Sequence, residues 1–296
     1  MSIPNPGRAL AWRGYLALFH LGPSVVCTSV TVLAGWSAAP QAKATDPGPP
    51  AWRARLVVAG VAMALAQMST GVLNDAFDAP WDRSFQDYKP IAAGLVPRWQ
   101  AWLLGFSCGA TSLLVARVAG VRALRLTAVG LACGWSYSLG LSRTPASFVP
   151  FALGLSTVPL LGPATIGARL SQPGAVVGLG TGIGLGLHLA NGGPDIERDR
   201  LAGRRSLPAL LGVRRSRALS HLLLGGGALA VAVDTTEAGR RWGYAGAGLS
   251  LVLVAVDRLA PRSARGRGDR PFVIPALAAA VLAAGWLLGQ ARAAHR

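Results

Sequence analysis

Six of the twelve acidic residues of this chain fall in two nine-residue windows, Asn74-Asp75-Ala76-Phe77-Asp78-Ala79-Pro80-Trp81-Asp82 and Asn191-Gly192-Gly193-Pro194-Asp195-Ile196-Glu197-Arg198-Asp199. Each contains Asn-x3-Asp-x3-Asp, and the two copies begin 117 residues apart. Carboxylate and amide oxygens are hard donors suited to Mg²⁺, an ion that keeps some waters and is completed by phosphate oxygens of a substrate. Steps of four place Asn74, Asp78 and Asp82 near one helix face, and likewise Asn191, Asp195 and Asp199. Two such faces opposed across a cavity could hold a metal-bound diphosphate. Lys89, Arg143, Arg198, Arg204 and Arg205 are cations available to neutralise it. Metal and guanidinium groups make diphosphate a good leaving group. If the departing bond is allylic, a carbocation remains, and a water-poor cavity protects it.

The elements that position these residues are membrane helices. The chain of 296 residues is 52% hydrophobic and only 14% charged, well under the ~25% usual in soluble domains. Nine apolar runs, about 15–37, 55–74, 98–118, 121–141, 147–167, 173–193, 215–233, 241–257 and 272–291, are long enough to cross a hydrocarbon core of ~30 Å. The expected fold is all-α, a polytopic membrane bundle of about nine transmembrane helices forming one domain over residues 1–296. The +17 net charge invites a nucleic-acid partner, but the cations concentrate in loops. With nine spans, the N-terminal side holds 18 Lys and Arg and the other side 11. By the positive-inside rule the N-terminus and both acidic clusters are cytoplasmic, in a cell inner or plasma membrane. The basic loop at 261–270 fits that side, and the expected partner is the lipid bilayer, with no nucleic acid. Ala42-Lys43-Ala44 loosely resembles a cleavage site, yet the preceding run exceeds a signal-peptide core, so a retained first helix is expected. Cys27, Cys108 and Cys133 are isolated and read as packing residues.

The clusters head a weak internal repeat, about 55–120 and 173–235. Gln67, Gly71, Asn74 and Asp78 share one face, as do Thr181, Gly184, His188, Asn191 and Asp195. Each cluster is followed by a basic residue, an apolar stretch and a glycine, Lys89 to Gly94 and Arg205 to Gly212. Alternate glycines from Gly178 to Gly186 lie in an apolar helix with no strand before it, which reads as close helix packing, not a nucleotide loop. Pro80 is expected to disturb the helix between Asp78 and Asp82. Gly192-Gly193-Pro194 predicts a break with Pro194 in a new first turn. His188 is read both as a buried core histidine and as a substrate contact.

Asn74-Asp75-x-x-Asp78-x-x-x-Asp82 followed by Lys89-Pro90-Ile91-x-x-Gly94 resembles the first signature of the UbiA superfamily of intramembrane prenyltransferases. Asn191-x-x-x-Asp195-x-x-x-Asp199, with Ala202-Gly203-Arg204-Arg205-Ser206-Leu207 and Leu211-Gly212, resembles the second, and Tyr137-Ser138 with Arg143-Thr144-Pro145 resembles a third motif. The resemblance implies a helical bundle with a cavity open laterally to lipid, Mg²⁺ as cofactor, and a prenyl diphosphate joined to a lipophilic aromatic or quinone-precursor acceptor. Carried over by position, Asn74, Asp75, Asp78, Asp82, Asn191, Asp195 and Asp199 would be metal-diphosphate residues, with Asp78, Asp195 and Asp199 central to catalysis. Lys89, Arg204 and Arg205 match basic positions near the diphosphate, while Tyr137 and Arg143 match positions bordering the cavity.

One departure matters: the family often has Lys-Arg where this chain has Ser142-Arg143. The missing cation keeps open a terpene cyclase of the same superfamily, which needs no acceptor. A rival of another class is a cation transporter, which requires carboxylates near mid-membrane and access from both faces. Here both clusters lie at one end of their spans.

Overall fold

The computed structural model describes residues 6–42, 49–168, 170, 172–259 and 270–294. Lys43 of the cleavage-like site and residues 260–269 of the basic loop lie outside the described residues. Eleven α-helices follow in order: α1 (Pro6–Leu18), α2 (Leu21–Ala42), α3 (Pro49–Phe85), α4 (Arg98–Ala119), α5 (Val121–Ser138), α6 (Phe148–Thr165), α7 (Pro173–Gly192), α8 (Ile196–Leu201), α9 (Leu207–Asp234), α10 (Arg240–Leu259) and α11 (Arg270–Ala294). No strand occurs among the described residues. Among the described residues, seven helices are long and apolar enough to cross a membrane, α2, α3, α4, α6, α7, α9 and α11. The other two expected spans, α5 and α10, carry Arg122 and Arg125 and Arg240, Arg241, Asp257 and Arg258. Those charges lower their apolarity, although both helices are built into the bundle. Consecutive long helices pack on one another, and α11 returns to α2, so the bundle closes into a ring; α2 also lies against α6.

The first apolar run is divided. Residues 15–18 end α1, the chain turns at Phe19 and His20, and α2 starts at Leu21. By contrast α3 is longer than expected: its 37 residues extend about 55 Å at 1.5 Å per residue, well beyond a ~30 Å core. The first acidic cluster therefore occupies the far end of a rigid rod. Alternate glycines on α7 divide their roles. A Cβ on Gly180 would come 2.9 Å from Ser156 Cα and one on Gly184 2.6 Å from Phe151 O, so these two let α7 press on α6. Gly178 and Gly182 face open space.

Pro80 does not interrupt α3, contrary to the sequence expectation. Proline lacks the N–H that would bond the carbonyl four residues back, that of Ala76, and an unpaired buried carbonyl is costly. Arg98, at the start of α4, donates its Nε–H to that oxygen at 2.7 Å. An external donor thus replaces the missing helical bond, and the helix continues to Phe85.

The repair makes Arg98 and Pro80 energetically coupled. Replacing Arg98 by Met should lower unfolding free energy by about 1.5–3 kcal/mol, the worth of a charged hydrogen bond. In a Pro80→Ala background, where residue 80 supplies its own N–H, the loss should shrink by at least about 1 kcal/mol. Thermal unfolding of the four proteins in one detergent measures the coupling.

Candidate active site

An α-helix advances about 100° per residue, so eight residues overshoot two turns by roughly 80° while seven fall only ~20° short. The acidic end of α3 divides accordingly, and the expected row Asn74, Asp78, Asp82 is corrected. Asp75 and Asp82 form one strip and Asn74 and Asp78 the next. Asp75 and Asp82 are buried, 3% and 2% exposed, and both turn to Lys89 in the loop after α3. Lys89 Nζ lies 3.1 Å from Asp75 Oδ1 and 3.0 Å from Asp82 Oδ2. Burial pulls the ammonium pKa down, but the two carboxylates and their hydrogen bonds outweigh it and leave Lys89 above the ordinary lysine range. Asp75 also bonds His20 Nε2 at 3.0 Å.

The second strip faces the end of α5. Ser138 Oγ approaches Asn74 Oδ1 at 3.4 Å. Two short 3-10 turns, Leu141–Arg143 and Pro145–Ser147, then bring Arg143 to Asp78, with Nη2 at 3.2 Å from Oδ1. Both partners retain solvent access, 44% and 28%.

The second cluster is assembled by the expected break. Helix α7 ends at Gly192, a 3-10 turn spans Gly193–Asp195 with Pro194 early in it, and α8 begins at Ile196. Asp195 pairs with Arg198 one turn on and remains 41% exposed. Asp199 receives Arg204 Nη1 at 3.4 Å and Ser206 Oγ at 3.2 Å. The Ser206 hydroxyl also accepts the Ala209 N–H at 3.3 Å and so caps α9. Gly94 and Gly212, which close the two signatures, both adopt left-handed backbone, φ 74° and 78°, which favours glycine.

The two halves meet. Arg205 N–H donates to Arg143 O at 3.0 Å, which joins the loop after α8 to the loop after α5. The Arg204 guanidinium lies 4.2 Å above the Trp81 ring of α3. Tyr137, at the end of α5, stands near Asn191 and within electrostatic reach of both Asp78 and Asp199. A cavity of about 360 Å³ opens between the halves, lined by Phe77, Pro80, Trp81, Arg143 and Arg204. A second, of about 260 Å³, lies beyond Trp81 against Phe85, Arg198, Leu201 and Ala202. His188 is fully buried below, its Nε2 3.0 Å from Ser147 Oγ, with Tyr137 and Phe151 against its ring. Ser147 also accepts the Leu207 N–H at 2.9 Å, so it ties α7 to the start of α9.

Asn74, Asp78, Tyr137, Arg143, Asn191, Asp199, Arg204 and the Arg205 backbone are thus brought together, with Asp195 at the rim. Asp75, Asp82 and Lys89 are tied to one another, and His188 is a core residue. Sequence reasoning missed Trp81, Ser147 and His20. Only Trp81 carried a signal, three residues after Asp78 on the same helix face. No three His, Cys, Asp or Glu side chains converge tightly enough among the described residues to enclose a metal ion alone. The donor chemistry still fits Mg²⁺, which typically takes one or two carboxylates and completes its shell with phosphate and water. Asp78, Asp195 and Asp199, all partly exposed, are the carboxylates able to do so.

A polytopic helical bundle with oxygen donors and guanidinium groups ringing one cavity defines a membrane protein suited to a polyanion. Residues 28–272 match the UbiA prenyltransferase family, and the chain belongs to that family. It is 28% identical over 151 residues to digeranylgeranylglyceryl phosphate synthase of Pyrococcus abyssi, covering 51% of this chain and 54% of the relative. It is 34% identical over 92 residues to decaprenyl-phosphate phosphoribosyltransferase of Mycolicibacterium smegmatis, covering 30% and 29%. The matches thus span about half, or less, of these curated relatives. In fold the chain is similar to a UbiA homolog from Archaeoglobus fulgidus bound to GPP and Mg²⁺, with a TM-score of 0.65, 16% identity, and coverage of 93% of this chain and 99% of the other.

Removing one partner from a buried charge cluster is costly. Lys89→Met should destabilise the protein by about 3–5 kcal/mol, because Asp75 and Asp82 lose their shared cation. Arg198→Ala, at an exposed pair, should cost less than about 1 kcal/mol. Unfolding midpoints of the two variants and the parent distinguish the sites.

Proposed function

We propose that this chain is a Mg²⁺-dependent membrane prenyltransferase that ionises a prenyl diphosphate and transfers the prenyl group to a lipophilic aromatic or quinone-precursor acceptor. The observation that carries the reading is that Arg143 and Arg204, each paired with a carboxylate of a different cluster, line one cavity. The relatives named for prenylated lipids and the homolog bound to GPP and Mg²⁺ support it.

In this reading Asp78, Asp195 and Asp199 hold the metal, with Asn74 and Asn191 as amide donors nearby. Bound Mg²⁺ would withdraw charge from the diphosphate oxygens. Arg143 and Arg204 exchange their carboxylate partners for diphosphate oxygens, to which planar guanidinium groups donate paired N–H bonds. The Arg205 backbone N–H, bonded to Arg143 O, holds the two loops in register. When the allylic C–O bond breaks, the electron pair leaves with the diphosphate and the positive charge stays on the prenyl carbons. Phe77, Pro80 and Trp81 keep water from that cation, and the Phe77 and Trp81 rings can stabilise it. Ring electrons of the acceptor then form the new C–C bond, and the proton lost from that carbon passes to the departed diphosphate.

We further read the two clusters as halves of one internal repeat, facing the cytoplasm from a cell inner or plasma membrane; the 18 to 11 bias of Lys and Arg supports that orientation.

Purified full-length protein in lipid nanodiscs should consume a prenyl diphosphate, tested from C5 to long polyprenyl donors with and without a panel of phenolic acids. EDTA should stop turnover and Mg²⁺ restore it. Asp78→Ala and Asp195→Ala should each lower it by ~100-fold or more, as loss of a principal electrostatic contact does. An alkylated phenol identifies the transferase; a hydrocarbon or alcohol formed without acceptor identifies a terpene cyclase instead. No turnover of any donor, or full activity in Asp195→Ala, overturns the reading.

A further inference from the structure

His20 is the one non-glycine residue with left-handed backbone among the described residues, at φ 45°. Histidine tolerates that region better than most residues, but strained backbone persists only where the surroundings over-determine it. The surroundings here are specific. The ring lies on Gly71 of α3, where a Cβ would come within 2.8 Å of His20 Cδ2. Its Nε2 stands 3.0 Å from Asp75 Oδ2, Asp75 Oδ1 stands 3.1 Å from Lys89 Nζ, and Lys89 Nζ stands 3.0 Å from Asp82 Oδ2. A continuous line of alternating donors and carboxylates therefore runs from the α1–α2 junction, across α3, to the loop after it.

We propose that His20 is a positioning residue for the reaction: through Asp75 and Lys89 it sets the rotation of α3 and so presents Asn74 and Asp78 to the cavity. This rests on the reading of the site given above. Asp75 directly follows Asn74 and precedes Asp78 by three residues, so the locked strip and the working strip are adjacent on one rod. A helix rotation of ~20° moves a Cα at 2.3 Å radius by about 0.8 Å and a carboxylate tip further. Misplacements near 1 Å can cost on the order of 100-fold in rate. Two carboxylates on the locked strip fix the angle at both ends of two turns, and His20 anchors that strip to the bundle's first helices. The proposal assigns Lys89 to this lock and not to the diphosphate.

The test compares His20→Ala, His20→Gln and Gly71→Ala in the full-length chain. Glutamine keeps an N–H at about the reach of Nε2; alanine removes it, and a methyl at position 71 displaces the ring. Two readouts are taken: kcat with its Mg²⁺ half-saturation, using the donor the parent turns over, and stabilisation by Mg²⁺ with inorganic pyrophosphate in a thermal-shift titration. His20→Ala and Gly71→Ala should lower kcat at least tenfold and raise the Mg²⁺ requirement at least fivefold in both readouts, whereas His20→Gln stays within threefold of the parent. Should His20→Ala fail to accumulate, His20→Asn carries the same test, because its amide suits left-handed backbone yet ends short of Asp75. A folded His20→Ala with parental Mg²⁺ requirement overturns the proposal, and so does a His20→Gln as impaired as His20→Ala. A parent that binds Mg²⁺ and pyrophosphate but turns over no donor contradicts the proposed function alone, and the titration still decides the role of His20.

Discussion

Carboxylates at the end of a membrane bundle must be neutralised. At mid-helix each costs about 2.5–3.5 kcal/mol even by insertion scales, and a buried unpaired charge costs more. In this protein every aspartate of the two clusters is met by a cation: Asp75 and Asp82 by Lys89, Asp78 by Arg143, Asp195 by Arg198 and Asp199 by Arg204. The consequences differ with exposure. Around Lys89 both carboxylates are buried, at 3% side-chain exposure each. Around Asp78, Asp195 and Asp199 the pairing is partly open, so in the proposed function the partners would be exchanged for metal and phosphate without stripping a charge bare.

That contrast explains how one helix serves two purposes. At ~100° per residue, Asp82 falls within ~20° of Asp75 but ~80° from Asn74 and ~40° from Asp78, which sets it with Asp75. The locked strip faces the loop after α3, and the open strip faces α5 and the loop carrying Arg143. Pro80 sits between them without breaking the rod because Arg98 supplies a donor to Ala76 O. A proline inside the acidic segment is thereby made compatible with a continuous helix, and the Trp81 ring beyond it becomes a platform for Arg204.

Much of this was legible in the sequence. Apolar run lengths located the long helices, and the Gly192-Gly193-Pro194 break appears where its residues require it. The resemblance to the UbiA superfamily is borne out by the match over residues 28–272. What was not legible depended on partners far along the chain. The Arg98 bond that rescues Pro80 crosses 22 positions and the His20–Asp75 bond 55. The break at His20 was hidden inside an apolar run with no proline or glycine at the turn itself. The count of nine spans was blurred because α5 and α10 carry charges that lower their apolarity.

In the proposed function the two clusters, 117 positions apart, act as a single site around one diphosphate. Calorimetric titration of the protein with inorganic pyrophosphate in saturating Mg²⁺ tests this. One binding event per chain is expected, lost when either Asp78 or Asp199 alone is neutralised to asparagine. Binding that survives either change undiminished, or two independent events per chain each abolished by only one of them, would contradict it.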